Sequence, residues 1–387
     1  MIEESLRDKF LVFGAPSVEE PEIEEVVATM KSGWLGTGPK VAAFEREFAR
    51  YKNAKHSAAL SSCTAALHLS LLAAEIQPGD EVVTTPMTYC ATVNAIIHAG
   101  GVPVLADVDP KTMNIDPWEV DRKITSKTRA LLAVHFAGRS CDMDELMEIA
   151  RRHDLKVIED CAHAIETEYK ERKAGTIGDF GCFSFHATKN LVTGDGGMVI
   201  ARREEDIAMI KILAMQGVSE DAWKRSDGNG YRHYQVVECG FKYGMMDLQA
   251  AIGIHQLRKV EERWLRRKEI WGIYDEAFRN LPLSLPLTPA PETRHAFHIY
   301  TILVDPSKAG IERDSFLRAL TAQNVGVGVH YLSIPEHPYY QRVYHWTPRD
   351  YPNAMAIGRQ TVSLPLSPKL TDRDVEDVIK AVVNCFR

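Results

Sequence analysis

Apolar and polar positions alternate in blocks along most of this chain. Short apolar runs occur at Glu81–Thr85, Val102–Val108, Ala130–Phe136, Lys156–Asp160, Gly181–Phe185 and Met198–Ala201. Between several of them, apolar residues recur every third or fourth position, near 88–99, 117–123 and 142–153, with Asp142 placed to cap the last. Buried strands alternating with amphipathic helices predict βαβ units and a largely parallel sheet covered on both faces. Upstream, residues 1–16 read as an arm. A helix is predicted near 19–32, with Pro21 in its first turn and Gly33 at its end, and another near 40–51, with Val41, Phe44 and Phe48 on one face. A further helix opens at Ser61-Ser62-Cys63-Thr64 and runs to about Glu75.

Downstream, 204–238 reads as polar and irregular, with Ser226-Asp227-Gly228-Asn229-Gly230 as a loop. One long amphipathic helix is predicted from Asp247 to Asn280, its apolar face carrying Leu257, Val260, Trp264, Trp271, Tyr274 and Phe278. The remainder predicts a smaller α/β domain. Its strands lie near 297–304 and 325–331 and its helices near 314–323 and 372–385, the last started by Thr371-Asp372. The domain boundary is placed near 255, giving an arm and large domain over 1–255 and a small domain over 256–387.

Composition narrows the class. A chain of 387 residues, 45% hydrophobic and 26% charged, buries a sizeable core without disulfide or metal staples. The formal net charge is -7, and no basic stripe appears, so nucleic acid is not an expected partner. Cysteines at 63, 90, 141, 161, 182, 239 and 385 are odd in number and form no C-x-x-C pair. They read as reduced thiols of a cytosolic protein, with neither disulfides nor a metal site. The most apolar long window, Cys90–Val108, is interrupted by Asn94, His98, Gly100, Gly101, Pro103 and Asp107, and the acidic Met1-Ile2-Glu3-Glu4 start has no signal-peptide core. No membrane association and a cytoplasmic location are therefore expected.

The candidate chemistry gathers around Phe183-Ser184-Phe185-His186-Ala187-Thr188-Lys189-Asn190, followed by Gly194-Asp195-Gly196-Gly197. A lysine in this turn sits at the open end of a sheet, where α/β proteins bind ligands. Desolvation there frees its amine as a nucleophile; alternatively it is a solvated turn lysine. Ser62, Cys63 and Thr64 at a helix start cap backbone N–H groups, or offer those groups as a phosphate seat. Tyr89 follows a strand, as a plate for a planar ligand or as a core tyrosine with a wet hydroxyl. Lys156–His163 is a buried strand ending in two acids and a histidine; alternation sends Glu159 and Asp160 to opposite faces, so only one enters a given site. The Gly33–Pro39 loop carries Trp34, which lines a pocket or caps the core. The His330-Tyr331 and Pro335–Tyr340 region offers groups for a polyol, or is a structural aromatic loop. Taken together, a phosphate seat, an aromatic plate, a strand-end carboxylate and a reactive lysine describe a pyridoxal-phosphate site. The lysine holds the aldehyde as an imine, and the carboxylate keeps the ring nitrogen protonated.

The chain also resembles the sugar-nucleotide aminotransferases of the DegT/StrS type, over nearly its whole length. The resemblance is carried by Gly33-Trp34-Leu35-Gly36-Thr37-Gly38-Pro39-Lys40, Ser62–Leu67, Ile158–Ala164, Gly178–Phe185, Thr188-Lys189-Asn190, Gly194–Gly197, Asp247–Ile252 and Ser363–Pro368. It implies an α/β, PLP-dependent transferase fold of type I, with a mostly parallel seven-stranded sheet and a smaller C-terminal α/β domain. It implies that Lys189 binds the cofactor aldehyde and shuttles the proton, Asp160 meets the pyridine nitrogen and Tyr89 stacks on the ring. Cys63, Thr64 and Ser184 would hold the phosphate, and His163 would lie near the ring substituents. Trp34, Thr37, His330 and Tyr331 would meet substrate. Members are typically homodimers with shared sites, so Lys242 in the Phe241-Lys242-Tyr243 turn would reach the neighbouring subunit's phosphate. Many members have Asn where this chain has Lys242 and Arg where it has Gly244; lysine there, with His186 and Asn190, resembles the branch that aminates C4 of UDP-4-keto sugars. L-Glutamate is the donor the resemblance implies. The family's dehydratases carry histidine in place of Lys189, and a purely regulatory, cofactor-binding relative needs neither Lys189 nor Asp160, so transamination is the expected activity.

Overall fold

The computed structural model describes residues 7–219 and 233–386. The loop expected at 226–230 lies outside the described residues. Seven strands form the central sheet: β1 (His56–Leu60), β2 (Glu81–Thr84), β3 (Val102–Leu105), β4 (Thr128–Val134), β5 (Lys156–Asp160), β8 (Phe180–Ser184) and β9 (Gly197–Ala201), in the order β1-β9-β8-β5-β4-β2-β3. All pairings are parallel except those of β9, which runs against both its neighbours. Strand alternation builds a core on each face. In β4, Ala130, Leu132 and Val134 join one cluster, while Leu131 and Ala133 join another on the opposite side.

Helices α1 (Glu20–Ser32), α2 (Pro39–Tyr51), α3 (Cys63–Ala73), α4 (Cys90–His98), α5 (Pro117–Lys123) and α6 (Met143–His153) lie close to their expected positions. Gly33 ends α1 at φ 77, a left-handed conformation that suits glycine. Asp142 stands at the cap position of α6 without capping it; its carboxylate accepts from the Tyr169 hydroxyl instead, at 2.6 Å. Among the described residues, no helix is long and apolar enough to cross a membrane.

Several expectations fail for identifiable reasons. β1 was not foreseen, because His-Ser-Ala-Ala-Leu has no branched or aromatic run; pairing with β9 and packing make it a strand. The region read as irregular from 204 contains α7 (Glu204–Ala214), whose Ile207, Ile210, Leu213 and Ala214 are buried at helical spacing behind an acidic first turn. The long helix is two, α8 (Asp247–Arg258) and α9 (Val260–Phe278), broken at Lys259. The break lets the chain bury different faces: α8 packs Ala250 and Ile254 beside Phe44, while α9 packs Trp271, Tyr274 and Phe278 into a second cluster. The run at 325–331 is no regular strand and makes only single bridges, Leu11 to Val325 and Gly328 to Ser363.

That second cluster surrounds the antiparallel pair β11 (Tyr300–Leu303) and β12 (Thr361–Leu364) and the helix Asp372–Asn384. Thr371 caps that helix in a reciprocal box with Asp374. A small sheet joins the two halves of the chain: β10 (Thr293–Arg294) pairs with β6 (Glu168–Tyr169), which pairs with β7 (Arg172–Lys173).

Gly253 in α8 marks a close helix approach, since a Cβ there would lie 2.7 Å from the buried Phe44 ring. Alanine is normally the better helix former. Here Gly253→Ala is expected to destabilise the chain by about 1–3 kcal/mol, because overpacking outweighs propensity; urea denaturation measures the sign.

Candidate active site

The carboxyl ends of β5 and β8 meet the N-termini of α3 and α4, and a cavity of about 450 Å³ opens there. Cys63, Thr64, Tyr89, Asp160, His163, Ser184, Lys189, His330 and Tyr331 all line it. Trp34, Thr37 and Lys242 do not. Trp34 is half-buried and donates its Nε1–H to the Thr37 carbonyl at 3.1 Å, and the Thr37 hydroxyl donates to the Met245 carbonyl at 2.6 Å. Lys242 is exposed, on a segment bridged to Met215.

Asp160 ends β5 facing the cavity and is buried. Its Oδ2 accepts from Thr92 Oγ1 at 2.9 Å, and its Oδ1 accepts from the Ala162 N–H at 3.1 Å. Burial pushes its carboxyl up; those two donors and Lys189 oppose this. Glu159, one residue earlier, faces the other way. It accepts from the N–H groups of Gly175, Ile177 and Gly178 and from His135 Nε2. Burial alone would raise its carboxyl, but these donors hold it below its ordinary value. Cys161 adjoins His135 and Glu159 closely enough for a metal cluster. However, the Cys141 N–H already occupies His135 Nδ1, so Nε2 carries the proton given to Glu159 and no ring lone pair remains.

Lys189 follows β8 in a turn closed by its own N–H to the His186 carbonyl at 2.9 Å. Burial lowers its amine to about 8, against the pull of Cys63 and Asp160. Its Nζ enters no ion pair among the described residues. His163 accepts the Ala137 N–H at Nδ1, so the neutral ring carries its proton on Nε2, 2.9 Å from the Tyr331 hydroxyl. Burial, then Lys189 and His330, hold His163 well below its usual range. Tyr331 therefore accepts from His163 and keeps its own proton for the cleft. Tyr89 is 61% exposed at the cavity, with its ring 6.1 Å from that of Tyr331; it is not a core residue.

At the start of α3 the Ser62 hydroxyl accepts from the Ala65 N–H at 3.1 Å, so the capping role holds. Capping leaves the N–H groups of the first turn, at Cys63 and Thr64, beside the cleft. Ser184 lies across from them, and Gly197 permits the approach: a Cβ there would lie 2.4 Å from the Ser62 carbonyl carbon. Sequence reasoning missed Thr88 and Thr92, which relay to Asp160 through a 2.7 Å hydroxyl contact; two threonines four apart beside Tyr89 were the available signal. It also missed Glu166, which burial raises to about 7, against hydrogen bonding from Asn190 and the charge of Arg267.

These residues fit a pyridoxal-phosphate-sized group. The buried Asp160 carboxylate has two neutral donors and no hydrogen-bonded cation, a place a protonated ring nitrogen satisfies. Ring face, amine and anion seat surround the same cavity.

The comparisons with known proteins point the same way. A family model described as the DegT/DnrJ/EryC1/StrS aminotransferase family matches residues 16–383. The spore coat polysaccharide biosynthesis protein SpsC of Bacillus subtilis is 47% identical over 377 residues, 97% of each chain. Among solved structures, the candidate sugar aminotransferase Spr1654 of Streptococcus pneumoniae, in its PLP form, superposes with a TM-score of 0.90 at 30% identity, covering 97% of this chain and 98% of that one. Its PMP form gives a TM-score of 0.91 at 31% identity with the same coverage. PseC of Helicobacter pylori, an aminotransferase involved in pseudoaminic acid biosynthesis, gives 0.90 at 25% identity over 98% of this chain and 99% of that one.

Two outcomes are expected. Gly197→Ala pushes the strand off the start of α3 and weakens binding of inorganic phosphate and of the phosphorylated cofactor by at least about tenfold, measured by calorimetry. Glu166 carries a pH signature. Below about pH 4.5 it is protonated whether the chain is folded or unfolded; as pH rises to about 7, only the unfolded chain releases the proton. Folding stability attributable to Glu166 therefore falls across that window, by roughly 3 kcal/mol at most. Glu166→Gln removes this fall, as urea denaturation at a series of pH values reads directly.

Proposed function

Because the chain belongs to the DegT/DnrJ/EryC1/StrS aminotransferase family, we propose that it moves the amino group of L-glutamate to the C4 ketone of a UDP-linked 4-keto sugar. The class, a pyridoxal-phosphate-dependent sugar aminotransferase, follows from the family and from relatives solved in PLP and PMP forms. The donor, the nucleotide and the carbon are our reading. One observation carries the mechanism: a buried, cation-free Asp160 carboxylate shares its cleft with the desolvated Lys189 amine.

In this reading Cys63, Thr64 and Ser184 hold the phosphate, Asp160 the ring nitrogen, Tyr89 one ring face, and Lys189 the aldehyde carbon. When bound, the group supplies an electron sink that accepts the electrons left when a carbon–hydrogen bond is broken beside nitrogen. Lys189, with its amine lowered to about 8, is unprotonated often enough near neutrality to take and return that proton. Tyr331, held as an acceptor by His163, directs its own proton to a sugar oxygen, with His330 beside it. Lysine rather than histidine at 189 supports transfer of nitrogen over dehydration.

The proposal extends to assembly. A homodimer with shared sites gives Trp34, Thr37 and Lys242 a cleft to serve, since their own chain leaves them outside its own. Exposed Ile23, Val27 and Met30 on α1 suit a covered face. The same reading keeps the division into 1–255 and 256–387, a cytoplasmic location, and a role in making amino sugars for a polysaccharide, the last supported by SpsC.

Lys189→Ala is expected to abolish the borohydride-reducible visible absorbance and to lower activity by at least about 10³-fold; a fully active alanine variant would refute the assignment. Glutamate alone should convert the bound cofactor to its amine form. With keto sugars linked to UDP, GDP or dTDP, product mass should show nitrogen entering the UDP compound; amination of the others alone would overturn the nucleotide reading.

A further inference from the structure

Asn190 follows Lys189 directly and is 7% exposed. Its amide is used on both sides. Nδ2 donates to Glu166 Oε1 and Oε2, at 3.1 and 2.9 Å, and to the Ala296 carbonyl at 3.0 Å. Oδ1 lies 2.9 Å from His298 Nδ1. Because Nδ2 is committed to three oxygens, Oδ1 must accept, and His298 Nδ1 carries a proton. The His298 ring in turn lies 4.5 Å from that of His163, the residue bonded to Tyr331 in the cleft. Three separate pieces of chain thus meet behind the amine: the segment after β5, the Lys189 turn and the approach to β11.

Nothing in the transfer reaction consumes Glu166, Asn190 or His298, and apolar side chains would fill the same space with less desolvation. What the cluster does is tie the turn to Glu166 and to the Ala296 carbonyl. Thr188, Lys189, Asn190, Arg267 and Ser367 also border a void of about 20 Å³, room for about one water. Within the turn, the Lys189 N–H donates to the His186 carbonyl, the Thr193 N–H returns to the Phe185 carbonyl at 2.8 Å, and the His186 ring meets the Thr188 hydroxyl at 3.0 Å; each of these bonds stays inside the segment, whereas the Asn190 amide ties it to other parts of the chain.

We propose that Asn190, clamped by Glu166 and His298, is a positioning residue for Lys189: its amide tethers the turn so that the amine stays in the desolvated cleft facing Asp160. This rests on the role given to Lys189 above. Glu166 is the anchor of the tether, and the charged and titratable groups around it are Arg267 of α9, Arg294 of β10, and Tyr51 and Lys52 at the end of α2. Freed from the tether, the amine moves toward water and is protonated more readily.

The test uses full-length holoenzyme and follows visible absorbance of the bound cofactor against pH, alongside kcat and KM. In Asn190→Ala and Glu166→Ala, the absorbance midpoint should rise by at least about one pH unit and kcat should fall at least about tenfold, with KM changed less than about threefold. Glu166→Gln, which keeps an acceptor of the same shape, should restore the native midpoint. Should Asn190→Ala fail to fold, Glu166→Ala decides. Midpoints within about 0.3 unit of native in the alanine variants, whatever the loss of thermal stability, would make the cluster structural only and overturn the proposal. Peptide mass after borohydride reduction keeps the two ideas apart. Cofactor fixed to Lys189 with an unmoved midpoint sinks only the tether, whereas cofactor fixed elsewhere sinks the role of Lys189 itself.

Discussion

The structure depends on keeping a buried negative charge and a desolvated amine in one cleft without letting them neutralise each other. Asp160 and Lys189 interact through space, yet no ion pair joins them. A direct contact would satisfy both groups and close the site to a ligand. Their separation is set by the sheet: Asp160 ends β5, while Lys189 lies beyond the end of its parallel neighbour β8, on a turn. Parallel pairing sends both strand ends to the same edge. The Thr92 hydroxyl and the Ala162 N–H then give Asp160 enough support to remain buried without supplying a cation.

The adjacent acids of β5 show how far one step in register reaches. Glu159 and Asp160 share a strand and are both buried, yet their carboxyls move in opposite directions. Glu159 meets a closed set of donors, three backbone N–H groups and His135, and becomes part of the scaffold. Asp160 meets an open cavity. Burial by itself therefore does not distinguish a functional acid from a structural one; the number of hydrogen bonds left unmade does.

That distinction separates what the sequence discloses from what it conceals. Strand β5, helix α5 and the alternation of their faces were legible because period and length alone specify them. The lysine turn, the strand-end acid and the capped helix start were legible as motifs, and the cavity gathers all three. β1 was hidden because its residues are small and its strand character comes from its neighbour β9. The break at Lys259 was hidden because neither glycine nor proline marks it; two different cores pull the halves apart. Trp34, Thr37 and Lys242 show the complementary limit, since they were legible as site motifs yet do not line the cavity of this chain.

The late part of the chain helps to enclose the cavity, which Val329, His330 and Tyr331 line. His330 and Tyr331 reach across the cleft, and the 2.9 Å contact between Tyr331 and His163 is one of the links joining the late segment to the sheet edge. Residues 295–298 do the same from behind, where Ala296 accepts from Asn190 and its N–H donates to the Gly138 carbonyl at 3.0 Å. Such long-range polar contacts would be poor choices for stability alone, because each leaves a desolvated group exposed to loss if its partner moves. Their value lies in direction: a hydrogen bond fixes where an atom points, and apolar packing fixes only that a space is filled. The cleft is thus held by polar contacts where orientation matters and by apolar clusters elsewhere.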